Sequence, residues 1–199
     1  MVALFFCVLC KTMGNTLFTI GYGNKTLPAL VEVLRRFQVS VVYDVRSIPL
    51  SRNNPAFDRA NLVPELPKLG MRYFFGGDKI GGKPVNKAYY DNNGVLDYSL
   101  LQGSEDFKTA IQKLCNGIIE KHLVVALLCG EYDAAECHRS RLIGTYIQTH
   151  FTDIAIQHIT GKETLESQDS VMARLNAANP NPLFSESEQP YYMHSPMKR

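Results

Sequence analysis

The sequence predicts a three-layer α/β domain built on a mostly parallel sheet of about five strands. Two observations carry that expectation. Five apolar, β-branched or aromatic runs of strand length recur between turn signals, and stretches with helical spacing lie between them. The runs are apolar throughout rather than alternating, as strands covered on both faces require.

The strands are expected at Thr16 to Ile20, Val39 to Val45, Met71 to Phe75, Leu123 to Leu128 and Ile154 to Ile159. After the first, Leu27, Leu30, Val31 and Leu34 follow the i, i+3, i+4, i+7 rule, with Thr26 as N-cap and Pro28 in the first turn. Before the fourth, Phe107, Ala110, Ile111, Leu114, Ile118 and Ile119 form a longer stripe entered through Ser104. After the fourth, Asp133 and Glu136 have capping-box spacing, so a helix is expected from about Ala134. Its rows through Leu142, Ile143, Tyr146 and Ile147 place His138 and Arg139 inward and Arg141 outward. Residues 76–103 are glycine-rich at the start and lack periodicity, which marks a lid-like loop, with Tyr89, Tyr90 and Leu96 to anchor it. The sequence contains no repeat of fixed period.

A chain of 199 residues with 45% hydrophobic and 20% charged residues supports one domain, taken as residues 16–176. Residues 1–15 are set apart as an N-terminal extension, and residues 177–199, with four prolines among Asn and Ser, as a flexible tail. The apolar stretch Val2 to Cys10 is about half a membrane span and has no basic residues before it, so no membrane association is expected. The five cysteines are odd in number and lack framework spacing, which points to a reducing, cytoplasmic setting. Cys7 and Cys10 form a C-x-x-C without a second pair, too little for a structural zinc site. A net charge of +2 excludes a nonspecific polycationic coat for nucleic acid.

In parallel α/β sheets, ligands bind beyond the carboxyl ends of the strands. The chemistry-bearing residues fall there: Tyr22 after the first strand, Asp44, Arg46, Ser51 and Arg52 after the second, Gly76 to Lys83 after the third, and Cys129 and Glu131 after the fourth. From Asp44 to Lys83 there are seven basic and four acidic residues, which favours an anionic ligand. The competing reading has Arg46 and Arg139 neutralising Asp44 and Glu131 in a structural network. Gly77 to Lys83 satisfies G-x-x-x-x-G-K, but Pro84 stands where a phosphate-binding loop needs Ser or Thr.

Cys129, near Arg139 and His138, has surroundings that would favour a nucleophilic thiolate, with a buried inert thiol as the alternative. Neither cysteine has an arginine six positions on, as a phosphatase loop requires, and the compact cysteine loop of rhodanese domains is missing. Cys129, Glu131, Cys137 and His138 are metal-ligand types within ten residues. Helical geometry would turn Cys137 and His138 about 100° apart, so no metal ligand is assigned.

Thr19-Ile-Gly-Tyr-Gly, Asp44-Val-Arg-Ser-Ile-Pro-Leu-Ser-Arg52, Lys79-Ile-Gly-Gly82, and Leu128-Cys-Gly-Glu with Cys137-His-Arg139 resemble the bacterial and archaeal family called domain of unknown function 488. The resemblance runs from Thr16 to His150. It implies a Rossmann-like α/β fold with these motifs grouped at one site, and it supplies no activity.

These readings combine into one expectation: an enzyme-like site for an anionic substrate derived from a nucleotide or nucleic acid, formed by four motifs meeting in one rim pocket. Tyr22, Arg46, Ser51, Arg52, Gly81, Gly82 and Arg139 would bind. Asp44, Glu131 and His138 would perform acid–base chemistry, with Cys129 as the possible nucleophile. The other class is a noncatalytic module that binds a small anion or nucleic acid through the same arginines. The sequence names no cofactor and sets no oligomeric state.

Overall fold

The computed structural model describes residues 14–178. The expectations for residues 1–13 and 179–199, including the Cys7–Cys10 pair, lie outside the described residues. The chain forms a six-stranded sheet in the order β3-β2-β4-β1-β5-β6. Strands β1 (Thr16–Gly21), β2 (Val41–Asp44), β3 (Arg72–Phe75), β4 (Val125–Cys129) and β5 (Ala155–Ile159) are parallel, and β6 (Leu165–Ser167) returns antiparallel along β5. The expected α/β class and mostly parallel sheet hold. The strand count is one higher because β6 is too short to show a pattern in the sequence.

Alternation along the strands sorts the core into two layers. Phe18, Ile20, Val42, Ala126 and Leu128 face α1 (Leu27–Arg36) and α2 (Arg59–Lys68). Leu17, Val41, Val125, Leu127 and Cys129 face α5 (Glu105–Ile119) and the helix that follows β4. Both expected caps form: Thr26 accepts a hydrogen bond from the Ala29 amide, and Ser104 accepts one from Phe107. Helix α2 has no counterpart in the sequence reading because Pro64 and Pro67 interrupt its pattern.

The segment expected as an irregular lid instead carries α3 (Gly77–Ile80), a short 3₁₀ turn at Lys87–Tyr89, a Tyr90–Leu96 bridge and α4 (Tyr98–Gly103). Tyr89, Leu96 and Tyr98 pack against the core, and Leu101 is buried.

The helix after β4 also departs from expectation. Asp133 does not form a capping box. One of its oxygens accepts the Ala135 amide, and both accept hydrogen bonds from Arg174 of α7 (Gln168–Ala178). Residues 134–137 turn instead of winding into a helix, which starts at His138, continues as a π-helix over Arg139–Gly144 and runs into α6 (Thr145–His150). The wide turn is stitched from outside, where the Gln168 amide donates to the Ser140 carbonyl and its oxygen accepts the Ser140 hydroxyl. The same Gln168 oxygen meets Nε2 of His158, whose Nδ1 meets the Thr19 hydroxyl. Burial of this imidazole pushes the His158 pKa down to about 4. None of the helices among the described residues is long and apolar enough to cross a membrane.

Strand β4 lies between β1 and β2. The chain leaves β1 and β2 toward the α1/α2 face, whereas it leaves β4 toward the α5 face. The outgoing loops therefore part at the carboxyl end of β4, where doubly wound sheets open a crevice.

Candidate functional site

The registers bring the expected motifs to one edge. Gly21 lies opposite Cys129, Asp44 opposite Leu128, and Phe75 opposite Asp44. They do not form the single pocket expected from the sequence. Asp44 is level with Leu128, whereas Cys129 is one residue further, and one step along a strand reverses the side-chain direction. The aspartate–arginine motif therefore occupies the α1/α2 face, and the cysteine–histidine motif the α5 face.

On the first face the expected ligand-binding and acid–base groups are consumed by one another. Asp44 is 0% exposed. Its Oδ1 accepts the Arg46 amide at 3.1 Å and Nε at 2.9 Å. Its Oδ2 accepts an Arg46 terminal nitrogen at 2.6 Å and the Tyr73 hydroxyl at 2.8 Å. That terminal nitrogen also donates to the Phe57 carbonyl at 2.7 Å, and the other reaches the Tyr22 hydroxyl at 3.5 Å. Tyr22 stacks on Phe57. Burial, then the Asp44 charge, pushes the Tyr73 hydroxyl pKa up. Asp44, Arg46 and Tyr22, expected as site residues, lie in a sealed corner: both carboxylate oxygens accept two hydrogen bonds, and the guanidinium is tied into its bidentate pair.

On the second face the chain brings together groups expected to diverge. Cys137 Sγ lies 3.2 Å from Cys129 Sγ, and His138 Nδ1 lies 3.7 Å from Cys137 Sγ and 4.0 Å from Cys129 Sγ. The turn at residues 134–137 explains the correction, because the 100° separation applies only within a regular helix. His138 Nε2 contacts the Val45 carbonyl at 2.9 Å, and since a carbonyl can only accept, Nε2 carries a proton and Nδ1 is the ring nitrogen that faces the sulfurs. The hydrogen bond from Cys137, then the charges of His138 and Arg139, hold the Cys129 thiol well below its ordinary range against the effect of burial. Burial pushes Cys137 up. All three are nearly closed off, with Cys129 5%, Cys137 1% and His138 7% exposed.

The glycines at this edge mark close approaches. A Cβ on Gly82 would lie 2.9 Å from Cβ and Cγ of His138, so the expected binding loop lies directly on the imidazole. A Cβ on Gly81 would meet the Gly77 carbonyl and Ser47. Neither glycine announces a packing position in the sequence, because a bare glycine pair carries no spacing signal. The hydroxyl of Ser47 accepts the Lys83 amide at 2.8 Å, which joins the loop after β2 to the loop after α3. Arg52 and Lys83 are exposed on these joined loops, while the Ser51 amide is held by Asp58.

Arg139 is 1% exposed and points inward as expected, but toward backbone. One terminal nitrogen donates to the Glu131 carbonyl at 2.6 Å and the other to the Tyr132 carbonyl at 3.0 Å. Its Nε has no hydrogen-bond partner, and no carboxylate pairs with it among the described residues. The Glu131 side chain is exposed on the lip. A surface hollow of about 600 Å³ lies at the opposite edge, lined by Asn15, Thr16, Asp153 and Ala155, and no such cluster of reactive groups lines it among the described residues.

Neither a curated protein nor a solved structure matches the chain. A family model does, over residues 26–146, which is more than half of the sequence and contains Asp44, Arg46 and the cysteine–histidine cluster, with Tyr22 just before it. The chain therefore belongs to the family described as Domain of unknown function DUF488.

Proposed function

We propose that the β4 edge is an enzyme-like site for an anionic substrate derived from a nucleotide or nucleic acid, with Cys129, Cys137 and His138 as its reactive groups. The observation that carries this reading is Arg139. A guanidinium taken out of water costs several kcal/mol unless negative charge compensates it, on the order of what breaking a buried ion pair costs. This one has two neutral carbonyls, an unpartnered Nε and no carboxylate in ion-pair contact among the described residues, with Asp133 acting on it only from farther away. Thiolate sulfur beside it or a bound anion supplies the missing charge. Exposed Arg52 and Lys83 on the joined loops draw anions toward the same edge. Glu131 on the lip is the acid–base group with access to solvent.

The test is a thermal-shift and calorimetric screen of the full chain against inorganic phosphate, nucleoside monophosphates and short oligonucleotides at matched ionic strength. A selective anion raises the unfolding midpoint by mass action. The Arg52→Ala/Lys83→Ala double variant weakens the effect while remaining folded. Glu131→Gln retains binding and loses turnover if the site is catalytic, whereas a noncatalytic binding module is unaffected by that change. The reading fails if no anion shifts the midpoint beyond an equal concentration of chloride.

A further inference from the structure

We infer that Cys129, Cys137 and His138 form a binding site for one borderline-soft divalent cation of the zinc class, with a fourth coordination position left for an exogenous ligand. The argument rests on donor geometry. Around a tetrahedral zinc, with sulfur at about 2.3 Å and nitrogen at about 2.0–2.1 Å, donor atoms sit roughly 3.6–3.8 Å apart. The three separations here are 3.2, 3.7 and 4.0 Å, which straddle that range. All three donor atoms fall within 4.8 Å of one another, so one ion placed among them reaches every donor after small side-chain rotations.

Three further features fit an ion better than ordinary core packing. The imidazole is oriented from behind: its Nε2–H donates to the Val45 carbonyl, the arrangement that metal-binding histidines ordinarily have. The backbone amide of Arg139 is directed at Cys137 Sγ, which holds that sulfur in place facing the cluster. Finally, the chain leaves helical geometry over residues 134–137, so that Cys137 and His138, adjacent in sequence, face one point instead of diverging. A small apolar filler at Cys137 would need none of this.

The charge count gives the chemistry of the fourth ligand, a step that rests on the anion reading above. A divalent ion with two thiolates and a neutral imidazole is electrically neutral, so it leaves the Arg139 cation uncompensated. Binding displaces to solvent the protons that remain on the two sulfurs and on Nδ1. An anionic fourth ligand, hydroxide or a substrate oxyanion, restores balance. Three protein donors and one exchangeable position are the pattern of catalytic zinc centres, in contrast to four-donor structural ones.

The experiment uses the full chain with Cys7→Ser/Cys10→Ser, which removes the other sulfur pair, purified under reducing conditions without chelator. Elemental analysis is expected to show one zinc per chain. Co²⁺ substitution is expected to give tetrahedral visible bands with sulfur-to-metal charge transfer, both displaced by Zn²⁺. Cys129→Ala and Cys137→Ala lose the charge-transfer band, and Cys115→Ala, a buried thiol elsewhere in the core, keeps it. Should the cluster variants fail to fold, X-ray absorption at the zinc edge on the folded parent decides: a shell of two sulfurs with nitrogen or oxygen supports the site. A shell without sulfur, failure to retain either metal, or a charge-transfer band unchanged in Cys129→Ala overturns it. The anion screen, run on metal-loaded and metal-free protein, separates the two proposals. Stoichiometric metal with no anion response removes the anion reading alone, and anion binding by a chain that takes no metal removes the metal site alone.

Discussion

The aspartate–arginine corner and the cysteine–histidine cluster occupy opposite faces of the same sheet edge, and they differ in how completely their polar groups are paired. At the corner, both Asp44 oxygens accept two hydrogen bonds each and Arg46 is locked in a bidentate pair. At the cluster, two sulfurs and an imidazole nitrogen face one another without strong donors between them, and Arg139 nearby has an unpartnered nitrogen. A saturated network holds loops in place; an undersaturated one has valence left for a ligand. Motif residues that look equally functional in sequence thus divide into a saturated network and the undersaturated cluster proposed above as the site.

The comparison can be broken most severely at Gly21, which lies opposite Cys129. A Cβ there would fall 1.7 Å from the Glu131 carbonyl oxygen, a backbone atom. Gly21→Ala is expected to yield no soluble folded protein, as judged by expression and circular dichroism. Next, Asp44→Asn leaves the buried Arg46 without its counter-charge and should cost about 3–5 kcal/mol in urea unfolding. Ligand occupancy per folded molecule should stay unchanged. Cys129→Ser should show the reverse, losing occupancy for roughly 0.5–3 kcal/mol of stability. If Asp44→Asn abolished binding in folded protein, the division into scaffold and site would be wrong.

A smaller effect concerns pH. Because the folded pKa of His158 is about 4 against an ordinary value of 6.5, the unfolded chain binds more protons between those values. Its contribution to stability is complete above pH 6.5 and is lost as pH falls toward about 4. Urea midpoints across that window should decline, with a shallower slope in His158→Gln. The smallest effect is expected at the half-exposed Arg174, which pairs with Asp133 and Glu166. Arg174→Ala should cost no more than about 1 kcal/mol, since solvent screens the pair. A larger loss would show that α7 helps hold the 130–137 turn, and so the cluster, in shape.

What the sequence disclosed follows from which interactions are local. Thr26 and Ser104 announce their helices because a cap needs only the residues three positions away. The inner strands β1, β2 and β4 show as apolar runs because both faces are covered, whereas the edge strand β3 shows as an aromatic run although Arg72 and Phe74 are exposed. Helix α2 is hidden by Pro64 and Pro67, and α7 by having Gln168 and Val171 as its only buried residues. The convergence of motifs at one edge could be read from strand order of appearance, but their separation onto two faces required the register of β2 against β4, a long-range quantity. Likewise, Asp133 resembles a cap until Arg174, 41 residues on, is seen to claim it. The meeting of Cys137 with His138 depends on that same nonhelical turn.

The hydrogen bond from His138 Nε2 to the Val45 carbonyl crosses from one face's chemistry to the other's scaffold. Val45 directly follows Asp44, so the sealed corner fixes the acceptor that sets the ring's tilt. The imidazole is therefore a built-in strain gauge: in nitrogen-15 NMR, loosening the loop after β2 would register as faster exchange of that single ring proton, long before the sheet itself gave way.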